Sequence, residues 1–290
     1  MPSKQPEYSM EFQLNPANPG QFLACCGLVE LSDRLWPGVI SSFDKALTTF
    51  RIGHESLQCE TAELLLALMN ASLKNTMTIE ELDRLSFLKN KKTASLSTAE
   101  KKEKSSLDSM QREKPLVLGE PFPNIRFDWY LDTRSGGSRF KTWAGQQSVY
   151  KIALAMREPV TIGRYSEIPS NQWLEHFDGN SLTFNFDSDV SVQSAPLDMG
   201  FSLDPLKMAC RGRPMMNLLC FFGLQRFRPR KIDNENLYCY SFWTQPLGTT
   251  IASTVASGGI SSLATAEYSF PLLYRTKYLK SFLPANPFGA

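Results

Sequence analysis

A strand–turn–helix pattern near the N-terminus, EFQLNPANPGQFLACCGLVELSDRLWPG, constrains the fold of this chain more than any other segment. A short strand is predicted over residues 11–14, and Asn18 followed by Pro19 is typical of a helix start, because an Asn side chain caps backbone N–H groups and proline needs no N–H there. Apolar residues then recur at helical spacing until residues 36–38, Trp-Pro-Gly, end the helix. A second strand is predicted over residues 46–52, so the chain opens β-α-β, the first half of a ferredoxin-like fold.

The remaining sequence predicts an α+β fold in which helical insertions interrupt a ferredoxin-like βαβ core. Further elements are expected from the spacing of apolar residues. The helices are predicted over residues 57–73, 141–157, 171–176 and 214–224, and the strands over residues 124–131, 181–187, 238–243 and 267–276. Composition divides the chain into residues 1–88 with the βαβ unit, a Lys/Ser/Glu-rich insertion over residues 89–114, and an α+β part over residues 115–290. The first and third parts can form one continuous domain.

The insertion, KNKKTASLSTAEKKEKSSLDSMQREK, contains very few large apolar residues. Such a segment buries little surface, so we expect a mobile insertion or a solvated helix. Its lysines are compatible with nucleic-acid binding, but the interspersed acids cancel much of the charge and favour a solubilising role. If the insertion is mobile, proteolysis should begin within it.

Composition restricts the functional classes. The formal net charge is +2, so a nucleic-acid-binding surface has to be a local basic patch. The six cysteines form no C-x-x-C pair and only two histidines could complete a metal shell, so we expect reduced thiols in a cytoplasmic protein without a metal or cofactor. The sequence has no recognisable signal peptide and no apolar run long enough to cross a membrane, so no membrane partner is expected.

Common catalytic motifs are missing from the sequence: it contains no G-x-S-x-G, no H-E-x-x-H and no G-x-x-x-x-G-K-[ST]. We therefore expect a protein without enzymatic activity. One alternative stays open, a metal-independent ribonuclease that uses His54 or His176 as general acid or base.

The stretch RSGGSRFKTWAGQQSVY, residues 134–150, combines a glycine pair with basic and amide side chains. It has two interpretations: a phosphate-binding loop that opens onto a helix, or an ordinary turn with solvated arginines. In the first, the cations contact phosphates and the glutamines contact bases or sugars, while Trp143 either stacks on a base or points into the core. The candidate residues of this first site are Arg134, Gly136, Gly137, Arg139, Lys141, Gln146 and Gln147.

A second basic cluster lies on both sides of the apolar segment PMMNLLCFFGL. Its second half, RFRPRK, carries no acid, and the interleaved Phe and Pro favour an extended strip that suits a phosphate backbone. A solvated basic edge, or a contact with an acidic protein, is the alternative. The candidate residues of this second site are Arg211, Arg213, Arg226, Arg228, Arg230 and Lys231.

Two segments, LNPANPGQFLACCGLVELSDRLWPG and FKTWAGQQS, resemble a subunit specific to the type I-U (I-G) CRISPR-Cas interference machinery, a small subunit of its Cascade complex. The resemblance implies a role in antiviral defence without catalysis, with CRISPR RNA or target DNA and other Cascade subunits as partners. In such assemblies the guide RNA pairs with the target, while protein holds backbones and reads a short adjacent sequence.

The resemblance leaves the exact role open. The subunit could be a compact large subunit that checks the motif next to the protospacer, or a RAMP protein whose RRM-like modules hold CRISPR RNA through glycine-rich loops. The β-α-β opening and the pairs Gly136-Gly137 and Gly258-Gly259 fit the RAMP placement. Two further alternatives are a CRISPR RNA-processing endoribonuclease and a protein-only scaffold whose basic strips meet acidic neighbours.

Overall fold

The computed structural model describes residues 7–131, 137–143, 147–163, 165–178, 186–190, 211–232, 235–275 and 278–289. Within these ranges the fold is α+β, and paired strands are antiparallel. The helices are α1 (Pro19–Leu35), α2 (Thr61–Asn70), α3 (Ile79–Asn90), α4 (Thr98–Glu113), α5 (Val149–Ile162), α6 (Pro214–Gly223) and α7 (Thr249–Ala256). The strands are β1 (Tyr8–Gln13), β2 (Ile40–Phe43), β3 (Thr49–Gly53), β4 (Leu73–Asn75), β5 (Leu116–Leu118), β6 (Ile125–Phe127), β7 (Arg230–Lys231), β8 (Leu237–Phe242), β9 (Leu247–Gly248), β10 (Ala266–Arg275), β11 (Tyr278–Phe282) and β12 (Asn286–Pro287). The sheets have the strand orders β1-β3-β2-β9, β11-β10-β8-β7 and β4-β5-β6, with β12 paired to β10.

The N-terminal unit has the predicted helix, with the predicted caps. The side chain of Asn18 accepts hydrogen bonds from the backbone N–H groups of Gly20 and Gln21, and Pro19 is the first helical residue. Strands β1 and β2 each pair antiparallel with β3, which lies between them. The strands on either side of α1 therefore run in the same direction, and α1 is the crossover that connects them.

The second strand of this unit was predicted only in part. The prediction over residues 46–52 is wrong at its start, because the carboxylate of Asp44 accepts hydrogen bonds from the N–H groups of Thr48 and Thr49 and closes a turn before β3. Leu47, in this turn, has a positive φ of 62°. The segment that returns from α1 is β2, which the sequence pattern did not predict.

Helix α1 lies at the centre of the core and is buried except in its last turn. It crosses α6, which is buried along its whole length. At the crossing the two backbones touch: a Cβ atom on Gly27 would overlap the carbonyl oxygen of Leu219, and one on Gly223 would overlap the carbonyl oxygen of Leu23. The close crossing depends on glycine, because any side chain at these two positions would push the helices apart.

An aromatic cluster joins α1 to two of the sheets. The ring of Phe22 stacks on Tyr240 with the centroids 4.2 Å apart, and Phe242 meets it edge-on at 5.0 Å. The indole N–H of Trp243 donates to the carbonyl oxygen of Ser41 at 2.9 Å. The end of β8 is thereby fixed to β2, so the sheets that contain these strands share one core around α1.

The Lys/Ser/Glu-rich segment contains helix α4, the second of the two alternatives that the sequence left open. It packs against α3, and each helix begins with a capping box, formed by Thr78 with Glu81 in α3 and by Ser97 with Glu100 in α4. Ion pairs link the two helices along their exposed edges, among them Arg84–Glu103 and Lys89–Asp108, both at 2.7 Å. A small apolar cluster lies within the hairpin and contains Met77, Leu85, Leu88, Leu96 and Leu107.

We expect trypsin to cut the α3–α4 hairpin first after the exposed Lys92, in the link between the helices, rather than within α4. A residue inside a packed helix reaches the protease only after local unfolding, whereas the link is already exposed. Mass spectrometry of the earliest fragments measures the order of cleavage. As a control, Leu88→Ala removes a fully buried side chain of the hairpin and should allow early cuts in α4. Early cuts within α4 of the parent chain would contradict the packed hairpin.

Several other predicted elements are shorter in the structure. The helix expected over residues 57–73 is reduced to α2, the strand expected over residues 124–131 is reduced to β6, and the helix expected over residues 171–176 is a single 3₁₀ turn at Ser170–Gln172. The strand expected over residues 181–187 lies mostly outside the described residues. The predictions of α6, β8 and β10 are confirmed. Among the described helices, none combines the length and the apolar character that crossing a membrane requires.

Candidate nucleic-acid interface

A groove of about 650 Å³ lies where four separate segments of the chain converge. We call it the arginine groove, because its charged lining consists of Arg126 from β6, Arg139 from the first basic stretch, Arg228 from the second, and Asp128. Its other lining residues are Trp129, Leu131, Ser138, Phe140, Pro229 and Tyr238. Three guanidinium groups against one carboxylate make it a positively charged recess on a chain of nearly balanced charge.

The end of α6 fixes the wall that carries Arg126 and Asp128. The amide oxygen of Gln225 accepts hydrogen bonds from the backbone N–H groups of Asp128 at 3.0 Å and Trp129 at 3.2 Å, and its Nε2 donates to the Asp128 carboxylate at 3.1 Å. The indole N–H of Trp129 donates to the carbonyl oxygen of Phe221 at 3.0 Å. These bonds explain why β6 ends at residue 127, since Gln225 takes the N–H groups that a longer strand would use for pairing.

The wall that carries Arg139 is a turn held by its neighbours. The backbone N–H of Ser138 donates to the carbonyl oxygen of Tyr130 at 3.3 Å. Phe140 is buried and meets the ring of Tyr238 edge-on, with the centroids 4.9 Å apart. Arg139, between these two anchored residues, is exposed. The turn therefore directs one arginine to the surface while its neighbours are fixed to the core.

Tyr238 is a buried residue that contributes a phenol hydroxyl group to the groove lining. Burial raises the pKa of Tyr238, and the positive charge of the neighbouring Arg139 guanidinium acts in the opposite direction. The phenol is therefore neutral at pH 7 and can itself donate a hydrogen bond.

The predicted helix over residues 141–157 starts too early, because α5 begins at Val149. Trp143 is buried, with its ring centroid 5.8 Å from that of Trp129 and 6.2 Å from that of Tyr130. Aromatic anchors thus hold residues 137–143 as a turn, so the prediction that this stretch opens directly onto a helix is wrong. Of the two roles considered for Trp143, burial in the core is confirmed.

The other residues of the first site have separate positions. Arg134, Gly136 and Gln146 lie outside the described residues. Gly137 has a positive φ of 87°, and a Cβ there would crowd the carbonyl oxygen of Tyr130. The ammonium of Lys141 lies 5.8 Å from the ring centre of Trp143. Gln147 is exposed just before α5.

The second site divides into exposed and paired cations. Arg228 lines the arginine groove, and Arg211 and Lys231 are exposed outside its lining. Arg226 Nε lies 2.8 Å from a carboxylate oxygen of Glu30, and Arg230 Nη2 lies 3.0 Å from a carboxylate oxygen of Glu267. These two arginines are held by acids that are distant along the chain. The absence of acids within RFRPRK could not indicate these ion pairs.

Arg213 is buried in a polar network between the two central helices. Its Nη1 donates to Asp187 Oδ2 at 2.9 Å and to Asp189 Oδ2 at 2.9 Å. Asp187 also accepts a hydrogen bond from Asn18 Nδ2 at 2.8 Å, and its burial raises its pKa, which Arg213 and Asn18 oppose. Arg213 is buried and bound to two carboxylates of the same chain, and we therefore leave it out of the proposed binding surface.

Arg126 was not among the predicted site residues. The strand NIRFDWYL was recognised by its alternating apolar residues, and Arg126 is one of the polar residues on the other side of that alternation, with 65% of its side chain exposed. An arginine on the open face of a short strand was therefore visible in the sequence, but its position beside Arg139 and Arg228 depends on the tertiary fold.

The two histidines lie outside the groove lining. His54 Nδ1 accepts hydrogen bonds from the backbone N–H groups of Ser56 and Leu57, both at 3.1 Å. His176 meets the ring of Tyr165 edge-on, with the centroids 5.5 Å apart. Each histidine therefore has a local structural contact.

Comparison of the chain with protein-family models, with curated proteins and with solved structures finds no match.

Proposed function

We propose that this chain is a nucleic-acid-binding subunit, without catalytic activity, of a type I CRISPR interference complex of the I-U (I-G) kind, acting in the cytoplasm. The observation that carries the proposal is the arginine groove, which brings Arg126, Arg139 and Arg228 together from separate segments of the chain. The groove holds the phosphate backbone of guide RNA or target DNA, and other Cascade subunits complete the assembly.

The chemistry of the groove favours backbone contact. Guanidinium groups bind phosphate oxygens through paired N–H donors, more specifically than a lysine ammonium does. The aromatic residues of the lining, Trp129, Phe140 and Tyr238, are buried and support the walls. With no exposed aromatic platform in the lining, phosphate contacts dominate over base stacking, and the protein holds a strand whatever its sequence.

The strand arrangement supports the RAMP placement of the subunit. The order β1-β3-β2 with α1 as the crossover is that of the first half of a ferredoxin-like fold. The chain departs from that fold after β3, since α2 leads into β4 of a separate sheet. We therefore propose a ferredoxin/RRM-like core that is modified by insertions.

The test is the binding of single-stranded RNA and DNA by the purified chain as a function of salt. We expect Arg139→Ala with Arg228→Ala to weaken binding at least tenfold at low salt. The slope of log K against log salt should decrease by about 0.7 for each phosphate contact that is lost. Fluorescence anisotropy over a salt series measures both quantities.

Arg51→Ala is the matched control, because it removes a partly exposed arginine of β3 that lies outside the groove lining and forms an ion pair with the exposed Glu11. It should leave affinity and slope near those of the parent. Parent binding that is absent, or unaffected by the double substitution, would contradict the proposal and favour a scaffold role. Metal-independent cleavage of repeat RNA that is lost in His54→Ala or His176→Ala would instead favour the endoribonuclease.

A further inference from the structure

A second, smaller cavity of about 250 Å³ adjoins the arginine groove. We call it the Glu30 cavity; its charged lining residues are Glu30, Arg34, Arg126 and Arg226, joined by Asn124 and Gln225. Arg126 lines both recesses, and Gln225 both lines the Glu30 cavity and holds Asp128 in the groove. The two recesses are therefore neighbours on one surface, with Arg126 at their junction.

The Glu30 carboxylate orients two of the arginines. The Glu30 side chain is 1% exposed and lies between Arg34 and Arg226. Nε and Nη2 of Arg34 donate to Oε1 of Glu30 at 3.0 and 2.8 Å. Nε of Arg226 lies 2.8 Å from Oε2 of Glu30. A guanidinium carries five N–H donors, so each arginine keeps donors that this carboxylate does not use. One buried carboxylate thus fixes two cations beside a polar cavity, and Asp33 Oδ2 lies 3.8 Å from Nη1 of Arg226 at its edge.

The combined lining is strongly biased in charge. Together the groove and the Glu30 cavity contain five arginines and two acids, a formal net charge of +3, whereas the whole chain carries +2. All these cations are arginines, the side chain that is best suited to grip phosphates in a fixed geometry. The lining of the two recesses therefore carries a local excess of positive charge.

We infer that the Glu30 cavity is a second phosphate site, and that one single strand of nucleic acid spans both recesses across Arg126. This inference rests on the proposed function and specifies its ligand. Recesses of about 650 and 250 Å³ are of the size of small-ligand sites, so they admit individual nucleotides of a flexible strand and exclude a double helix. Arg139 and Arg228 hold the backbone at one end of the path, and Arg34 and Arg226 hold it at the other.

The experiment compares the parent chain with the double variant Glu30→Gln/Arg34→Gln, using oligouridylate single strands of increasing length. The variant removes one cation and one anion together, so it keeps the net charge and leaves no buried carboxylate beside an absent partner. We expect the salt slope for long strands to fall by about 0.7, the value for one phosphate contact. Strands too short to reach the second recess should bind parent and variant equally.

The outcomes separate this inference from the proposed function. The inference alone would be overturned by two results together. Arg139→Ala with Arg228→Ala would weaken binding, but Glu30→Gln/Arg34→Gln would leave the length dependence and the salt slope unchanged. Absence of any salt-sensitive binding by the parent would overturn both. Binding of duplex as tightly as of single strands would overturn the single-strand assignment.

A second measurement does not depend on the fold of a variant. Photo-crosslinking of the parent to an oligouridylate strand that carries a photoreactive uridine should label peptides from both linings, including residues 30–34 and 123–126. Crosslinks confined to the arginine groove, around Arg139 and Arg228, would overturn the inference even if the double variant fails to fold.

Discussion

Gly27→Ala is expected to lower the free energy of unfolding by about 3 kcal/mol. In an isolated helix the same change would be favourable by about 1 kcal/mol, because alanine is the better helix former. Here the added Cβ would overlap the carbonyl oxygen of Leu219 in α6, and backbone atoms cannot move aside as a flexible side chain does. The helices would have to separate, with a loss of packing along a crossing that is buried on both sides.

Urea unfolding of the parent and the variant measures this loss, provided that the m-value is unchanged. Gly248→Ala is the matched control, because a Cβ at Gly248 meets no atom within 4 Å, and it should change stability by less than about 1 kcal/mol. Gly223→Ala should repeat the effect of Gly27→Ala from the other helix. If Gly27→Ala is as mild as Gly248→Ala, the two helices do not cross this closely in solution.

Local rules predicted α1 and its caps, because Asn18 and Pro19 determine a helix start through backbone groups within a few residues. The same rules could not predict the crossing, since Gly27 stands inside α1 and Gly223, the last residue of α6, reads as an ordinary helix-end glycine. Neither position shows that it requires glycine for packing until the other helix is placed beside it. Glycine at these positions is explained by tertiary packing alone.

The candidate site shows the same division between local and tertiary information. Charge along the sequence identified Arg139 and Arg228, which both line the groove. It could not distinguish them from Arg213, which is buried against Asp187 and Asp189, because those acids are distant along the chain. The sequence thus shows where basic residues cluster along the chain, whereas the fold determines which of them face solvent and which are paired with acids inside the protein.

The structure also changes the interpretation of the basic stretch around Gly137. One of the two interpretations of a glycine pair before an expected helix was that backbone N–H groups and a helix N-terminus bind the phosphate. The structure instead has α5 beginning at Val149, with Phe140 and Trp143 buried. The contribution of this stretch to the proposed interface is therefore the side chain of Arg139, presented by an anchored turn.

The second large effect is expected for Asp187→Ala, which should lower the free energy of unfolding by about 4 kcal/mol. Asp187 is fully buried and links the N-terminal ends of α1 and α6, because it accepts hydrogen bonds from Asn18, the N-cap of α1, and from Arg213, the N-cap of α6. Its removal leaves the buried guanidinium with Asp189 as its remaining carboxylate partner and deprives the Asn18 amide of its acceptor. A buried charge that loses a partner costs several times more than an exposed one, because water cannot replace the lost bond.

The matched comparison is Glu11→Ala, which breaks the ion pair with Arg51 at 2.8 Å, nearly the same separation as the 2.9 Å between Arg213 and Asp187. Both partners of that pair are substantially exposed, at 38% and 52%, so its loss should cost less than about 1 kcal/mol. Urea unfolding of both variants under one set of conditions gives the difference directly. Since the two pairs share charge and distance and differ in burial, equal losses would mean that Asp187 is solvated in the folded protein and that the network does not join the two central helices.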